Sequence, residues 1–404
     1  MKVLLPFRSL RNPLFARLYA AQTTSLLGDA FTWVGLALLA FEVGGARSAA
    51  ILAGALTLRV TAFVALSPLA GALADRMDRK TLMVAADLGR MVVIGLMPLV
   101  SEVWQVYVLM FALNALTAFF TPAYQAALPQ VTRQKDYAQA IALSGATYEV
   151  LGVLGPGVAG AIAGLIGARN IFFLDAGTFL ISALLILTLP VRLRVDRSSD
   201  TAQATTLRDV QDGTLRLWQD APMRYALLLE LVAAVSGALI LVGTVGLVRG
   251  QLELGDLEYG WGMAAFGVGA TLAALAVGAL EGRLPRTTFV LLGALVSTLA
   301  VLPANFVPFI PLLLLWILAG AGQNWVNLPT QTLIADRTPE AFQGRVYGAH
   351  FAWSHLWWAL TYPLAGWLGS RFAEQSFLYG GFVAVVLLAG VMLQPRLRNR
   401  ATPG

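Results

Sequence analysis

Long apolar runs separated by short polar turns divide the chain into twelve candidate membrane helices. Each needs about 20 residues to cross the hydrocarbon at a rise of about 1.5 Å per residue. In the first half they fall at Leu14 to Val43, Ser48 to Ala74, Thr81 to Val100, Val103 to Leu128, Ala138 to Ile166 and Ile171 to Leu189. In the second half they fall at Met223 to Val248, Tyr259 to Leu280, Thr287 to Leu302, Phe309 to Ala335, Val346 to Leu368 and Phe377 to Leu393. Pro303 and Pro308 bracket Asn305 and separate the ninth span from the tenth, because prolines this close interrupt a helix. The polar stretch Val191 to Pro222 is too short for a folded domain and predicts one surface helix around Leu207 to Trp218.

A repeat underlies this pattern. Gly71-Ala-Leu-Ala-Asp-Arg-Met-Asp-Arg-Lys80 recurs in degenerate form at Gly278-Ala-Leu-Glu-Gly-Arg-Leu-Pro-Arg-Thr287, and Pro122 realigns with Pro329 at the same offset. Each copy ends an apolar run and opens a basic turn, so the repeating unit is a bundle of membrane helices. The predicted fold is an all-α membrane protein of twelve transmembrane helices in two pseudo-symmetric six-helix bundles. Residues 1–190 form the first bundle, 191–222 a cytoplasmic linker and 223–404 the second bundle.

Composition agrees, with 58% hydrophobic and 12% charged residues. A soluble protein with one large core is excluded. The net charge of +6 comes from basic residues scattered singly or in short clusters between apolar runs, which is a topology signal and not a nucleic-acid footprint. With both termini in the cytoplasm, only Arg47, Arg169, Arg249 and Arg371 of the 28 basic residues fall outside, and Arg59 and Arg90 fall within spans. That asymmetry predicts a multi-pass protein of the cytoplasmic (inner) membrane with both ends inside. Met1 to Pro13 runs into an apolar stretch too long for a cleaved signal, so the N-terminus is expected to be retained. The absence of cysteine excludes disulfides and thiolate metal sites. No Gly-Lys pair exists to build a phosphate-cradling loop, so any pumping must draw on an ion gradient. His350 and His355, five apart, lie about 140° apart around a helix, which is unsuited to a shared metal. No metal, cofactor or catalytic residue is expected, and an enzyme is disfavoured for want of a soluble domain or a nucleophile-base constellation.

The informative chemistry is the set of ionisable residues inside the spans, since each such charge needs a partner, a water-filled cavity or a function. Asp29 on the first span and Arg59 on the second share a depth of roughly 20 to 24 Å from the cytoplasmic face. Their expected ion pair is either the proton-coupling device, with Asp29 carrying the proton, or a permanent structural pair. Glu149 on the fifth span and Glu230 on the seventh, about 15 and 10 Å in from the cytoplasm, are candidates for a second proton site or a contact to a cationic substrate. Asp175 lies close to the outer end of the sixth span. Asp87 and Arg90, three apart, can pair along one face of the third. Trp33, Asn114, Gln323, Asn324 and Asn327 fall near mid-depth, as does Trp325, while Trp353 and His355 sit with Trp357 and Trp358 on the eleventh span. Aromatic faces, amides and carboxylates together suit an amphipathic, often cationic molecule. Tryptophans also favour membrane interfaces, and amides also hold helices together.

These residues carry a family resemblance. The segment Gly71-Ala-Leu-Ala-Asp75-Arg76-Met-Asp-Arg79-Lys80 resembles the signature loop of the major facilitator superfamily, and the copy at Gly278 stands where that family's second copy does. The resemblance implies a conformational latch in which Asp75 accepts helix N-terminal donors while Arg76 and Arg79 hold neighbouring carboxylates. Gly282 replaces the acid in the second copy, so the latch should be one-sided. Gly152-Val-Leu-Gly155-Pro156-Gly157-Val-Ala-Gly160 resembles the family's antiporter motif, with Ala159 where a glycine is usual. Its glycines permit close helix contact and its proline can bend the span. The arginine often found in the family's fourth span is absent, so Arg59 or Arg90 would have to take its place. Arg11-Asn-Pro-Leu-Phe-Ala-Arg17, Leu27-Gly-Asp29 and Thr338-Pro-Glu-Ala-Phe-Gln-Gly-Arg345 are similar to the branch containing the enterobactin exporter and macrolide efflux proteins.

The resemblance implies a secondary transporter working by alternating access, with proton-linked efflux of amphipathic drug-like molecules as the leading expectation. Its expected partners are a small-molecule substrate, protons and membrane lipid, with no nucleic acid and the chain acting as a monomer. Export of one endogenous compound, such as a siderophore or lysolipid, would show a narrow substrate profile instead. A non-transporting receptor or scaffold would show no solute flux under any gradient. If the latch is real, Asp75→Asn slows turnover while substrate binding survives, read by comparing transport rates with equilibrium binding; lost binding at an unchanged rate would refute it.

Overall fold

The computed structural model describes residues 6–133, 136–190, 193, 207–280 and 284–393. All regular structure among them is helical. The helices are α1 (Pro13–Gly44), α2 (Ser48–Arg76), α3 (Arg79–Leu96), α4 (Val103–Val131), α5 (Tyr137–Ile166) and α6 (Ile171–Leu187), then the short α7 (Leu207–Gln219). They continue with α8 (Ala221–Val245), α9 (Asp256–Leu280), α10 (Arg286–Val301), α11 (Phe309–Arg337), α12 (Glu340–Arg371) and α13 (Ser376–Met392). Among the described residues twelve helices of 16 or more residues lie at the expected positions, and the short α7 lies where a surface helix is expected. Among the described residues eight helical segments are long and apolar enough to cross a membrane, one of them uniting most of α1 and α2; the bent α5 makes a ninth. The short α6 and the more polar α12 fall outside that criterion.

The helix ends follow local chemistry. Asp78 and Asp220 are N-caps of α3 and α8, accepting from the backbone N–H of Lys80 and Met223. Glu102 and Gln105 form a capping box on α4. Pro303, Asn305 and Pro308 break α10 from α11 as their spacing predicts. The α12 helix begins six residues before the apolar run does, because its first turns are polar while helix formation needs only the backbone ladder. Around Pro156, which cannot donate to the Gly152 carbonyl, α5 bends by 42° between Gly152 and Leu154.

The chain divides into two compact units, one of Met1–Val43 with Leu58–Ser199 and the other of Gly44–Thr57 with Asp200–Gly404. In the first, Asn12 ties two helix ends together: its Oδ1 accepts from Leu14 N–H and its Nδ2 donates to the Val131 carbonyl at 2.6 Å. Arg169 bonds the Glu42 carboxylate at 3.0 and 3.1 Å and the carbonyls of Pro98 and Val100 at 2.8 and 2.7 Å, stapling three interhelical turns at one end of the unit. In the second unit Asn305 has the same office, bonded to Gln251, to the Ala373 carbonyl and to the N–H groups of Phe377 and Leu378. There α9 and α11 cross at backbone contact: a Cβ on Gly269 would overlap the Ile317 carbonyl, and one on Gly320 the Phe266 carbonyl. Asn324 and Trp325 of α11 reinforce this crossing by donating to the Ala270 and Ala273 carbonyls at 2.6 and 3.2 Å.

Because neither backbone can yield at that crossing, Gly320→Val should destabilise the protein by about 1–3 kcal/mol, the usual range for overpacking. A thermal unfolding midpoint in detergent that matches the parent protein would contradict the crossing.

Candidate functional site

The first unit encloses an ionisable cluster built from α1, α2, α3 and α6. Arg90, 2% exposed, donates to Asp87 Oδ1 one turn earlier on α3, as their spacing predicts. Ser182 of α6 donates to the other Asp87 oxygen at 2.7 Å. The Arg90 guanidinium also lies over Phe120 of α4 and Phe179 of α6, 4.3 and 4.4 Å from the ring centroids. Asp175 is fully buried and accepts from Thr32 of α1 and from Thr178 Oγ1 at 3.0 Å. Its carboxylate reaches α1 because residue 28 is glycine: a Cβ there would overlap Asp175 Oδ1 and Thr178 Oγ1. Asp29, the next residue, is partly buried and within Coulombic reach of Arg90, Arg59, Asp87 and Asp175.

The expected Asp29–Arg59 ion pair does not form. Arg59 lies over Trp33 of α1, 4.5 Å from its centroid, and farther over Phe63 at 5.9 Å. Aromatic faces hold this guanidinium. Depth alone brought Asp29 and Arg59 to the same level, but helix rotation decides which groups meet. Asp175 belongs to the cluster although its position near the end of an apolar run suggested a peripheral place. The sequence signal was its acidity within a span; its burial depends on the glycine of another helix.

The second unit holds a different arrangement. Glu230 of α8 and His350 of α12 are 2.8 Å apart, Oε1 to Nε2, with side chains 7% and 12% exposed. Trp353, one turn beyond His350, meets Trp218 edge-on and Trp357 tilted, both at 5.2 Å between centroids. The Nδ1 of His355 lies 2.8 Å from the Phe351 carbonyl one turn earlier. Among the described residues no group of three or more His, Cys, Asp or Glu is placed to hold a metal.

The polar candidates divide by partner. Asn114 turns back on its own helix, donating to Met110 at 2.7 Å. Gln323 has a buried Oε1 with no hydrogen-bond partner among the described residues, beside Gly237 of α8. Asn327, on the same helix α11, is exposed.

Residues 18–255 and 226–403 match the model of the Major Facilitator Superfamily. The chain belongs to that superfamily. It is accordingly a multi-pass membrane transporter of the all-α major facilitator fold, not an enzyme. It is 27% identical over 354 residues to the "Uncharacterized MFS-type transporter YfiS" of Bacillus subtilis (strain 168), covering 82% of this chain and 81% of the relative. It is 26% identical over 411 residues to the "Multidrug efflux pump Tap" of Mycolicibacterium fortuitum, covering 96% and 97%. It is 29% identical over 335 residues to the "Multidrug resistance protein MdtG" of Salmonella paratyphi C (strain RKS4594), covering 81% and 79%. The solved structure of the nucleoside transporter NupG superposes with a TM-score of 0.77 at 13% identity, covering 94% of this chain and 98% of that one.

Of the superfamily's loop between α2 and α3, the side chains of Asp75 and Arg76 and the surroundings of Gly71 lie outside the described residues, as do the side chains of Glu149 and of residues 278–280 and the whole of residues 281–283 in the second copy. The described part shows Asp78, not singled out in the sequence, capping α3. Arg79 donates to the Ala126 carbonyl of α4 at 2.7 Å, and Lys80 to the Leu189 carbonyl after α6 at 2.7 Å. The loop therefore ties α3 to two neighbouring helices through backbone oxygens. In the α5 motif Gly155 approaches α1, where its Cβ would lie 2.6 Å from that of Ala30, while Gly152 faces open space. Gly160 is buried and Pro156 partly so.

Removing Arg90 leaves Asp87 without its guanidinium partner in a buried site, so Arg90→Gln should cost about 3–5 kcal/mol. Asp87→Asn combined with Arg90→Gln should recover part of that loss. Unfolding midpoints of the two variants check both; equal stability of Arg90→Gln and the parent would show that the pair carries no such burden.

Proposed function

We propose that this major facilitator is a proton-coupled exporter of amphipathic small molecules, working by alternating access from the cytoplasmic membrane with both termini inside. The observation that carries the reading is the charge balance of the first cluster. Three carboxylates, Asp29, Asp87 and Asp175, lie within reach of two guanidiniums, Arg59 and Arg90. Fully ionised, the set has one negative charge in excess, which a single proton neutralises. Excess charge inside a membrane is costly, and exchanging a proton for it lets an ion gradient do work.

Asp29 is the proton carrier in this reading. Asp87 and Asp175 have direct hydroxyl or guanidinium donors, whereas Asp29 has no such donor among the described residues. Arg59, held over Trp33, supplies the charge that tunes it. Support for the substrate class comes from Trp33, Gln323, Trp353 and the carboxylate of Glu230, and from relatives named as multidrug efflux proteins. Glu149 and Asn327 remain candidates for proton coupling and substrate contact, Asn114 and Asn324 are bonded to backbone, and His355 stacks on Phe351 at 3.8 Å.

Reconstitution in inside-out vesicles with an acid interior tests this directly. Drug-like compounds should collapse the pH gradient in a protein-dependent way, and Asp29→Asn should abolish that response while leaving the protein folded. Compound-driven proton flux that persists unchanged in Asp29→Asn would remove Asp29 from the role.

A further inference from the structure

The two arginines inside the spans of the first unit are held in different ways. Arg90 is 2% exposed, meets Asp87 and lies between the rings of Phe120 and Phe179. Arg59 is partly exposed and is held by rings alone, over Trp33 of α1 and over Phe63 one turn further along α2. Among the described residues its guanidinium has neither a carboxylate nor a carbonyl to receive its five N–H donors. A guanidinium at mid-span without an acceptor is costly, and a purely structural arginine would have been expected to find one.

The opening beside it is confined. Between Gly28 and Ala40 of α1, Asp29 and Trp33 are the residues that are not buried. They stand one turn apart and so share a helix face, and Arg59 lies over the second of them. The rest of that stretch, from Ala30 to Thr32 and from Val34 onward, is packed. Ionisable residues left accessible inside a span face a bundle interior or a water-filled cavity, so this face of the first unit can receive a ligand.

Charge decides which acceptor fits. Arg59 and Arg90 stand against Asp29, Asp87 and Asp175, so the cluster is neutral with one proton bound and carries one negative charge without it. An anion at Arg59 would add a negative charge in either state, whereas a neutral acceptor satisfies the N–H donors and adds none. Excess charge is the costlier of the two inside a membrane. What the guanidinium lacks is therefore hydrogen-bond acceptors and not countercharge. A ketone or ester oxygen supplies them, and the planar fork can direct two N–H groups at its lone pairs. Trp33 and Phe63 offer apolar faces to the ring that carries it.

We infer that Arg59, Trp33 and Phe63 form a substrate subsite for a neutral hydrogen-bond acceptor carried on an aromatic ring, such as an aryl ketone or ester. The acceptor oxygen lies in the guanidinium plane and the ring lies against the indole and phenyl faces. Arg59 thus touches substrate directly, in addition to lending its charge to the cluster. This inference rests on the export reading and deepens it by naming the substrate class.

The test uses the full-length protein in lipid nanodiscs at neutral pH with radiolabelled methyl naphthoate, a neutral ring-bearing ester. Unlabelled naphthoate, the same ring with an anion, and ethylnaphthalene, the same ring without an acceptor, serve as competitors. Counts from nanodiscs without protein are subtracted, so partition into lipid cancels. The ester should bind saturably, and both competitors should bind at least tenfold more weakly. Arg59→Met should bring the ester down to the level of ethylnaphthalene. Arg59→Lys keeps the charge but replaces the planar fork with a rotating ammonium, and it guards against misfolding. It should weaken ester binding severalfold and still hold the ester above the hydrocarbon. A parent protein that does not bind the ester, or binds it no better than ethylnaphthalene, overturns the inference. So does a carboxylate that binds more tightly than the ester, or an Arg59→Met variant that binds the ester like the parent. Should other compounds still collapse the vesicle gradient, only this inference has failed; should none do so, the export reading has failed with it.

Discussion

Inside the hydrocarbon no water is available to satisfy a polar group, so every backbone amide and every polar side chain must find its partner within the protein. That constraint accounts for the all-helical architecture, in which the backbone bonds itself. It also explains the small polar residues along the spans. Thr57, Thr117, Thr121, Thr244 and Thr330 each return their hydroxyl to a carbonyl one turn back. Where helices end and carbonyls would be stranded, long polar side chains reach across: Asn12 and Arg169 in one unit, Asn305 in the other.

The same constraint makes the buried charges informative. Both units contain carboxylates in apolar surroundings, but they resolve the cost differently. In the first, Arg90 is sandwiched between two phenyl rings and balances Asp87, while Ser182, Thr32 and Thr178 supply hydroxyls. In the second, one histidine meets one glutamate and leaves an oxygen open. A satisfied group anchors structure, whereas an unsatisfied one marks where a proton or ligand can bind. That distinction separates Asp87 and Asp175, held by direct donors, from Glu230, whose Oε2 has no donor among the described residues.

Close helix approach is what permits these clusters. Gly28 lets the Asp175 carboxylate lie against α1, and Gly269 with Gly320 brings α9 onto α11 at backbone distance. The α5 bend near Pro156 and the contact of Gly155 with Ala30 place a bent helix beside the one carrying Asp29. Small residues thus set how near two helices come, and nearness sets which polar groups are in range.

The helix positions, the linker helix and the break at Asn305 were legible in the sequence because they depend on local properties: apolar length, proline chemistry and the distribution of basic turns. The Asp87–Arg90 pair was legible for the same reason, since three residues on one helix form a fixed geometry. The partners between helices were not. Asp29 and Arg59 share a depth yet do not pair; Asp78 caps α3; Asp175 is drawn into the core; and Glu230 meets His350. Sequence determines how deep a side chain sits along its helix. Only the tertiary packing decides the direction in which it points, because rotation about each helix axis is set by contacts with neighbours distant in the chain.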